Sequence, residues 1–152
     1  GRPIIARILI KKYPEEFKTI QEIFDKLIGE RKPAFVSRKK ITMKEAIDII
    51  RKAGGISVLA HPGRYINHTE KIIEKFVKDG GEGMECDYPY EKITGIDRGI
   101  NEKFRKSAEE NSLLVSGGSD FHGPDRRVEI GDAGLSSEEF NILKNYAKSQ
   151  SK

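Results

Sequence analysis

Residues 54–63 read Gly-Gly-Ile-Ser-Val-Leu-Ala-His-Pro-Gly, and the fold follows from how this stretch is taken. Upstream, Thr42-Met-Lys-Glu45 has the form of a capping box, which opens a helix. Met43, Ala46, Ile47 and Ile50 give that helix one apolar stripe, and Gly54-Gly55 ends it. Ile56–Ala60 is then a short apolar run of the kind that becomes a buried parallel strand. It stops at His61-Pro62-Gly63, a polar group followed by a turn.

The same unit recurs downstream. Asn67 and Glu70 are placed to cap a helix with Ile72, Ile73, Phe76 and Val77 inward, and Gly80-Gly81 closes it. Gly83–Asp87 reads as a second, weaker strand. Ile96, Ile100, Phe104 and Ala108 recur every four residues, so a longer helix is expected to about Asn111. Leu113–Ser116 is the third strand. Ser136-Ser-Glu-Glu139 caps a last helix bearing Phe140, Leu143 and Tyr146, and the tail 148–152 is expected to fray. Strands separated by helical stretches of about 10–15 residues imply parallel pairing through helical crossovers.

Residues 1–40 have a different texture. Ile4, Ile5, Ile8 and Leu9 share a helical face, and Thr19-Ile-Gln-Glu22 opens a second helix through Ile23, Phe24, Leu27 and Ile28 to Gly29. Lys32–Val36 is read as extended. Two units are therefore expected, a helical subdomain over 1–40 and an α/β unit over 41–152.

Composition bounds the rest. With 152 residues, 36% apolar and 34% charged, the chain can build a core and carries a charge-rich surface. No run approaches the ~18 apolar residues of a membrane span. A single cysteine, Cys86, excludes an intrachain disulfide framework and leads to the expectation of a cytoplasmic protein. The net charge of +4 is modest and both signs are interspersed. The densest basic cluster, Arg38-Lys39-Lys40 with Lys44, reads first as a solvated turn and second as a phosphate or nucleic-acid contact.

In parallel α/β proteins, functional groups gather at the carboxyl ends of the strands. Here the first strand ends at His61 and the third runs into Gly117-Gly-Ser-Asp-Phe-His122. If the backbone stays extended, Asp120 and His122 project to one side and Phe121 to the other. Carboxylate with imidazole suits Mn, Fe or Zn rather than thiol-preferring metals. The plainer reading is a glycine-rich turn in which Asp120 bonds its own backbone. Taken alone, His61 reads first as a hydrogen-bonded loop residue and only second as a ligand, and His68 reads as a surface residue. Glu85 and Asp87 are either outer groups of a site or a solvated pair, with Cys86 a small buried hydrophobe.

Taken in order, Gly1-Arg-Pro3 with Ala6-Arg7, Lys32-Pro33, Ala60-His-Pro-Gly63, Tyr88-Pro89 and Gly117-Gly-Ser-Asp-Phe-His-Gly-Pro124 form a combination. In that combination the chain resembles the C-terminal part of the PHP (polymerase and histidinol phosphatase) superfamily. The likeness is to metal-dependent phosphoesterases of tryptophan-operon neighbourhoods. It implies a partial, distorted (β/α)7 barrel with parallel strands, plus a small helical insertion over residues 1–40. It further implies a site of two or three divalent metals (Mn, Zn or Fe) acting on nucleotide or nucleic-acid phosphoesters. By the match, His61, Asp120 and His122 are similar to metal ligands and catalytic groups, and Arg2 or Arg7 to phosphate contacts. The family's N-terminal His-x-His motif is not among these residues, and Ile4 stands where the family often has histidine.

The resulting expectation is a C-terminal fragment of a phosphoesterase, inactive or nearly so by itself, whose substrate is a small phosphorylated molecule or a nucleic-acid end. The alternative is a non-catalytic nucleotide or nucleic-acid binding module on the same fold. That module would bind through Arg38, Lys39 and Lys40, with salt sensitivity and no response to chelators.

Overall fold

The computed structural model describes residues 1–37, 40–65, 67–95, 99–123 and 127–150. The chain divides into two compact units, Gly1–Lys40 and Ile41–Lys152.

The first unit is helical. Helix α1 (Arg2–Lys12) is followed by α2 (Ile20–Ile23), which passes without a break into a π-helical turn over Phe24–Ile28. The expected capping box is present: Thr19 Oγ1 accepts from Glu22 N, and Glu22 accepts back from Thr19 N. Ala6, Phe17, Ile23 and Ile28 form its core. Lys32–Val36 is not extended, because Phe35 N closes a turn on Lys32 O and Ala34 N reaches Leu27 O. Ile4, Ile5 and Ile8, read as one helical face, are each half exposed or more. The basic cluster at Arg38-Lys39 lies outside the described residues.

The second unit follows the alternating order. Helix α3 (Met43–Lys52) leads to β1 (Val58–Leu59), α4 (Thr69–Lys78), β2 (Gly83–Asp87), α5 (Tyr90–Thr94), α6 (Gly99–Glu110), β3 (Leu114–Gly117) and α7 (Ser137–Gln150). The sheet is parallel in the order β1-β2-β3, with Val58 opposite Gly83 and Met84 opposite Val115. Among the described residues it has three strands, so a seven-stranded barrel is not closed by them.

Strand β1 is shorter than the apolar run suggested. Glu82 Oε2 accepts both Ser57 N and Ser57 Oγ at 3.0 Å, which removes Ser57 N from the ladder. Helix α4 starts after His68, not Asn67, which takes a left-handed φ of 65°. The helix expected from Ile96 is described from Gly99, and residues 96–98 lie outside the described residues. The short α5 was not expected. Helix α7 runs to Gln150, past the start of the expected frayed tail.

One apolar core holds this unit together. Met84 and Cys86 of the middle strand and Tyr88 just after it pack with Ile47, Leu59, Ile73, Phe76, Phe104, Ala108 and Leu113. Burial of such side chains stabilises by about 1.5–3 kcal/mol each. Within the core, burial pushes the Cys86 thiol up to about 12, so it stays neutral and packs as an apolar group. Helix α7 buries no residue fully and is held by polar anchors instead. Tyr146 OH donates to Glu82 at 3.2 Å, and Glu139 pairs with Arg105 of α6.

Candidate functional site

Each strand of the sheet delivers one polar cluster at its carboxyl end. After β1 the chain turns abruptly. His61 adopts left-handed backbone angles, φ 31° and ψ 61°, and Pro62–Arg64 forms a single 3₁₀ turn. One group of the middle strand and one at the start of α5 hold this turn. Glu85 Oε2 accepts His61 N at 2.6 Å, and Tyr90 OH accepts Gly63 N at 2.9 Å. Gly63 is required by that approach, because a Cβ there would lie 2.7 Å from Tyr90 Cε1.

At the end of β2 the carboxylates separate. The register against β3 shifts between Glu85 and Asp87, and a bulge of this kind re-aims the side chains around it. Glu85 turns to the His61 turn. Asp87 accepts from Asn101 Nδ2 at 3.0 Å and lies 3.7 Å from Arg105. The two acids flanking Cys86 therefore serve different neighbourhoods. Burial pushes the Glu85 carboxyl above its ordinary range; the His61 N–H and ring counter this, and the Asp120 carboxylate adds to it.

After β3, Gly118–Gly123 leaves the sheet. Asp120 has a left-handed φ of 53°, so the extended alternation expected for Asp120 and His122 does not occur. Phe121 is correspondingly 41% exposed rather than packed behind the pair. A turn brings the two side chains together instead. His122 Nδ1 lies 2.6 Å from the Asp120 carbonyl and 3.5 Å from Asp120 Oδ1. Donation by Nδ1 to that carbonyl leaves Nε2 as the acceptor nitrogen, on an exposed ring.

The three clusters meet around one cavity of about 580 Å³. His61, Asp120 and His122 line it together with Arg64, Tyr88, Lys92 and Arg127. Tyr88 OH donates to Asp120 Oδ2 at 3.1 Å and receives Arg64 Nη1 at 3.4 Å. Burial and the Asp120 hydrogen bond push its phenol up, with Arg64 opposing. His61 stands edge-on to the Tyr88 ring with centroids 5.5 Å apart. Among the described residues its Nδ1 is buried without a hydrogen-bond partner, a cost normally met by some further group. Among the described residues, no three His, Cys, Asp or Glu side chains converge closely enough to hold a metal by themselves.

Arg2 and Arg7 belong to the helical unit. Arg2 stacks over Phe24 and Phe35 at 5.6 Å and bonds Ile28 O. Arg7 is exposed on α1. His68 is exposed at the start of α4, as expected. Sequence reasoning did not single out Tyr88, Arg64, Lys92 or Arg127 as site residues, and left Glu85 undecided. The signal available was position: Glu85 and Tyr88 flank the end of the middle strand, where the same strand-end rule applies.

No family model matches the chain. Curated relatives do. A 3′,5′-nucleoside bisphosphate phosphatase from Chromobacterium violaceum is 34% identical over 110 residues, 70% of this chain and 37% of the relative. A 5′-3′ exoribonuclease from Haemophilus influenzae is 36% identical over 114 residues, 72% of this chain and 39% of the relative. The chain thus spans less than two fifths of the length of these relatives. Two solved structures share the fold. A candidate metal-dependent phosphoesterase from Bifidobacterium adolescentis superposes with a TM-score of 0.68 at 24% identity, over 94% of this chain and 49% of that one. An amidohydrolase from Chromobacterium violaceum, solved with sulfate, gives 0.61 at 28% identity, over 95% and 49%. These likenesses support the PHP resemblance at the level of the superfamily.

Proposed function

We propose that this chain forms the C-terminal part of a metal-dependent phosphoesterase of the PHP superfamily, in the branch associated with tryptophan-operon neighbourhoods. The observation that carries the reading is that His61, whose buried Nδ1 has no partner among the described residues, lines the same cavity as Asp120 and His122. Imidazole and carboxylate donors fit Mn, Zn or Fe. His61, Asp120 and His122 would hold two or three such ions together with donors contributed from outside these residues, since the three do not suffice alone. When bound, divalent ions supply Lewis acidity toward phosphoryl oxygens and an activated water.

The chain's own residues prepare the rest. Arg64, Lys92 and Arg127 make the cavity wall cationic and attract a phosphorylated substrate. Ile93 and Val128 supply its apolar part. A cavity histidine left free of metal would, when protonated, pass a proton to the leaving oxygen. Arg2 and Arg7 are proposed as further phosphate contacts on the resemblance alone. The names of the relatives point to nucleoside bisphosphates or 5′ ends of RNA as the substrate class, and the fold to a distorted (β/α)7 barrel of which these strands are part.

The test is hydrolysis of a nucleoside 3′,5′-bisphosphate and of a 5′-phosphorylated oligoribonucleotide by the full-length protein, before and after chelation. Activity on at least one that is lost with chelator, restored by Mn²⁺ and abolished in Asp120→Ala is the expected result. Salt-sensitive binding of both with no turnover and no chelator effect would replace this reading with the binding module.

A further inference from the structure

Tyr88 sits at the end of the middle strand, between the two strand ends that carry the donors. We infer that it is a positioning residue: it holds Asp120 and the His61 turn in one fixed relation, so that their donor atoms face the same ions. This rests on the metal reading above and names a residue that acts on the site without being a donor in it.

The polarity of the contacts is determined by chemistry. A guanidinium can only donate, so Arg64 Nη1 gives its hydrogen to the Tyr88 oxygen. The single phenolic hydrogen is then committed to Asp120 Oδ2. The order Arg64 to Tyr88 to Asp120 follows, with the cation polarising the phenol toward the carboxylate. One oxygen of Asp120 is thereby pinned, and the carboxylate plane with it.

The aromatic body of Tyr88 sets the other half. Its side chain is buried, with His61 edge-on at 5.5 Å and Tyr90 at 4.7 Å. Tyr90 in turn receives Gly63 N, two residues beyond His61. A single buried ring thus touches His61 directly, the His61 turn through Tyr90, and Asp120 through its hydroxyl. Both donors sit on left-handed backbone at positions 61 and 120. Such positions persist only where the surroundings over-determine them, and these contacts are the surroundings. Partners that orient metal ligands in this way alter affinity by about 10–100-fold when removed.

Tyr88→Phe keeps the ring and deletes the hydroxyl, and Tyr146→Phe, which loses a phenol hydrogen bond to Glu82 away from the cavity, is the control. Calorimetric titration of the full-length protein with Mn²⁺, alongside thermal unfolding, is the experiment. Tyr88→Phe is expected to weaken Mn²⁺ binding about tenfold or more, with a melting temperature close to wild type and a change in kcat larger than that in KM. Unchanged Mn²⁺ affinity in Tyr88→Phe, with wild type binding normally, overturns the positioning role and leaves the metal reading intact. A fall in affinity matched by an equal fall in Tyr146→Phe, or by a collapse in melting temperature, assigns the effect to a general loss of stability and overturns the role also. Wild type that binds no Mn²⁺ overturns both readings at once.

Discussion

At the scale of single residues, the site is built from backbone left in unusual positions by close packing. Gly117 ends β3 where a Cβ would lie 2.7 Å from Asp87 Cβ and 2.9 Å from its carbonyl oxygen. Gly117→Ala therefore forces β2 and β3 apart at the bulge, and a loss of about 1–3 kcal/mol in urea unfolding is expected. Glu82 offers a second residue-scale test. Its carboxylate receives Ser57 N, Ser57 Oγ and Tyr146 OH, and Ser57 is 1% exposed. Glu82→Ala strands a buried N–H and hydroxyl and is expected to cost about 2–3 kcal/mol, whereas Tyr146→Phe should cost about 1. Equal losses in the two variants would contradict the assigned contacts. His61, Asp120 and His122 were legible as a group because strand ends are where parallel sheets place chemistry. Their local geometry was not. Extended alternation does not survive a glycine pair, and Asp120 turns left-handed after Gly117-Gly118. Tyr88 and Glu85 were obscured because residue type alone does not tell which side of a strand faces the cavity, and the bulge at Cys86 changes sides midway.

At the scale of elements, helices were the most legible. Both capping boxes read from Thr19 and Thr42 are present, since a Thr-x-x-Glu pair satisfies its own orphan N–H groups without outside help. Thr42→Ala is expected to lower stability by about 1 kcal/mol in denaturant melts. What sequence could not supply were features set by distant partners: the π-helical turn after α2, the short α5, and the trimming of β1 by Glu82. The attachment of α7 is another. Glu139 is held below its ordinary pKa first by Arg105 and next by the Ser136 N–H. A lowered carboxyl contributes stability above its unfolded pKa, and the contribution disappears as pH falls through the folded value. Glu139→Gln should accordingly be less stable than wild type by about 1 kcal/mol at pH 7. The gap should close below the ordinary carboxylate value of 4.5. A gap that persists undiminished in acid would mean that packing, not charge, anchors the helix.

At the scale of the molecule, two cores divide the chain. Ala6, Phe17, Ile23 and Ile28 close one, and the strand-centred cluster the other. The two compact units meet in sequence at residue 40. Residues 41–152 hold His61, Asp120 and His122 and a core of their own, so deletion of 1–40 is expected to preserve cooperative unfolding of the rest. Both outer strands of the sheet, β1 and β3, have an unpaired edge among the described residues. Apolar side chains such as Ile49, Phe140 and Ile142 are more than half exposed. In the proposed barrel, further structure would cover surfaces of that kind. The central claim remains that His61, Asp120 and His122 are metal donors. Elemental analysis of the full-length protein, purified without added metal, tests it most directly when wild type is set beside His61→Ala and Asp120→Ala. Two or three divalent ions per chain in wild type, with loss in both variants, is the predicted result. Wild type without stoichiometric metal, or variants that retain all of it, would contradict the account.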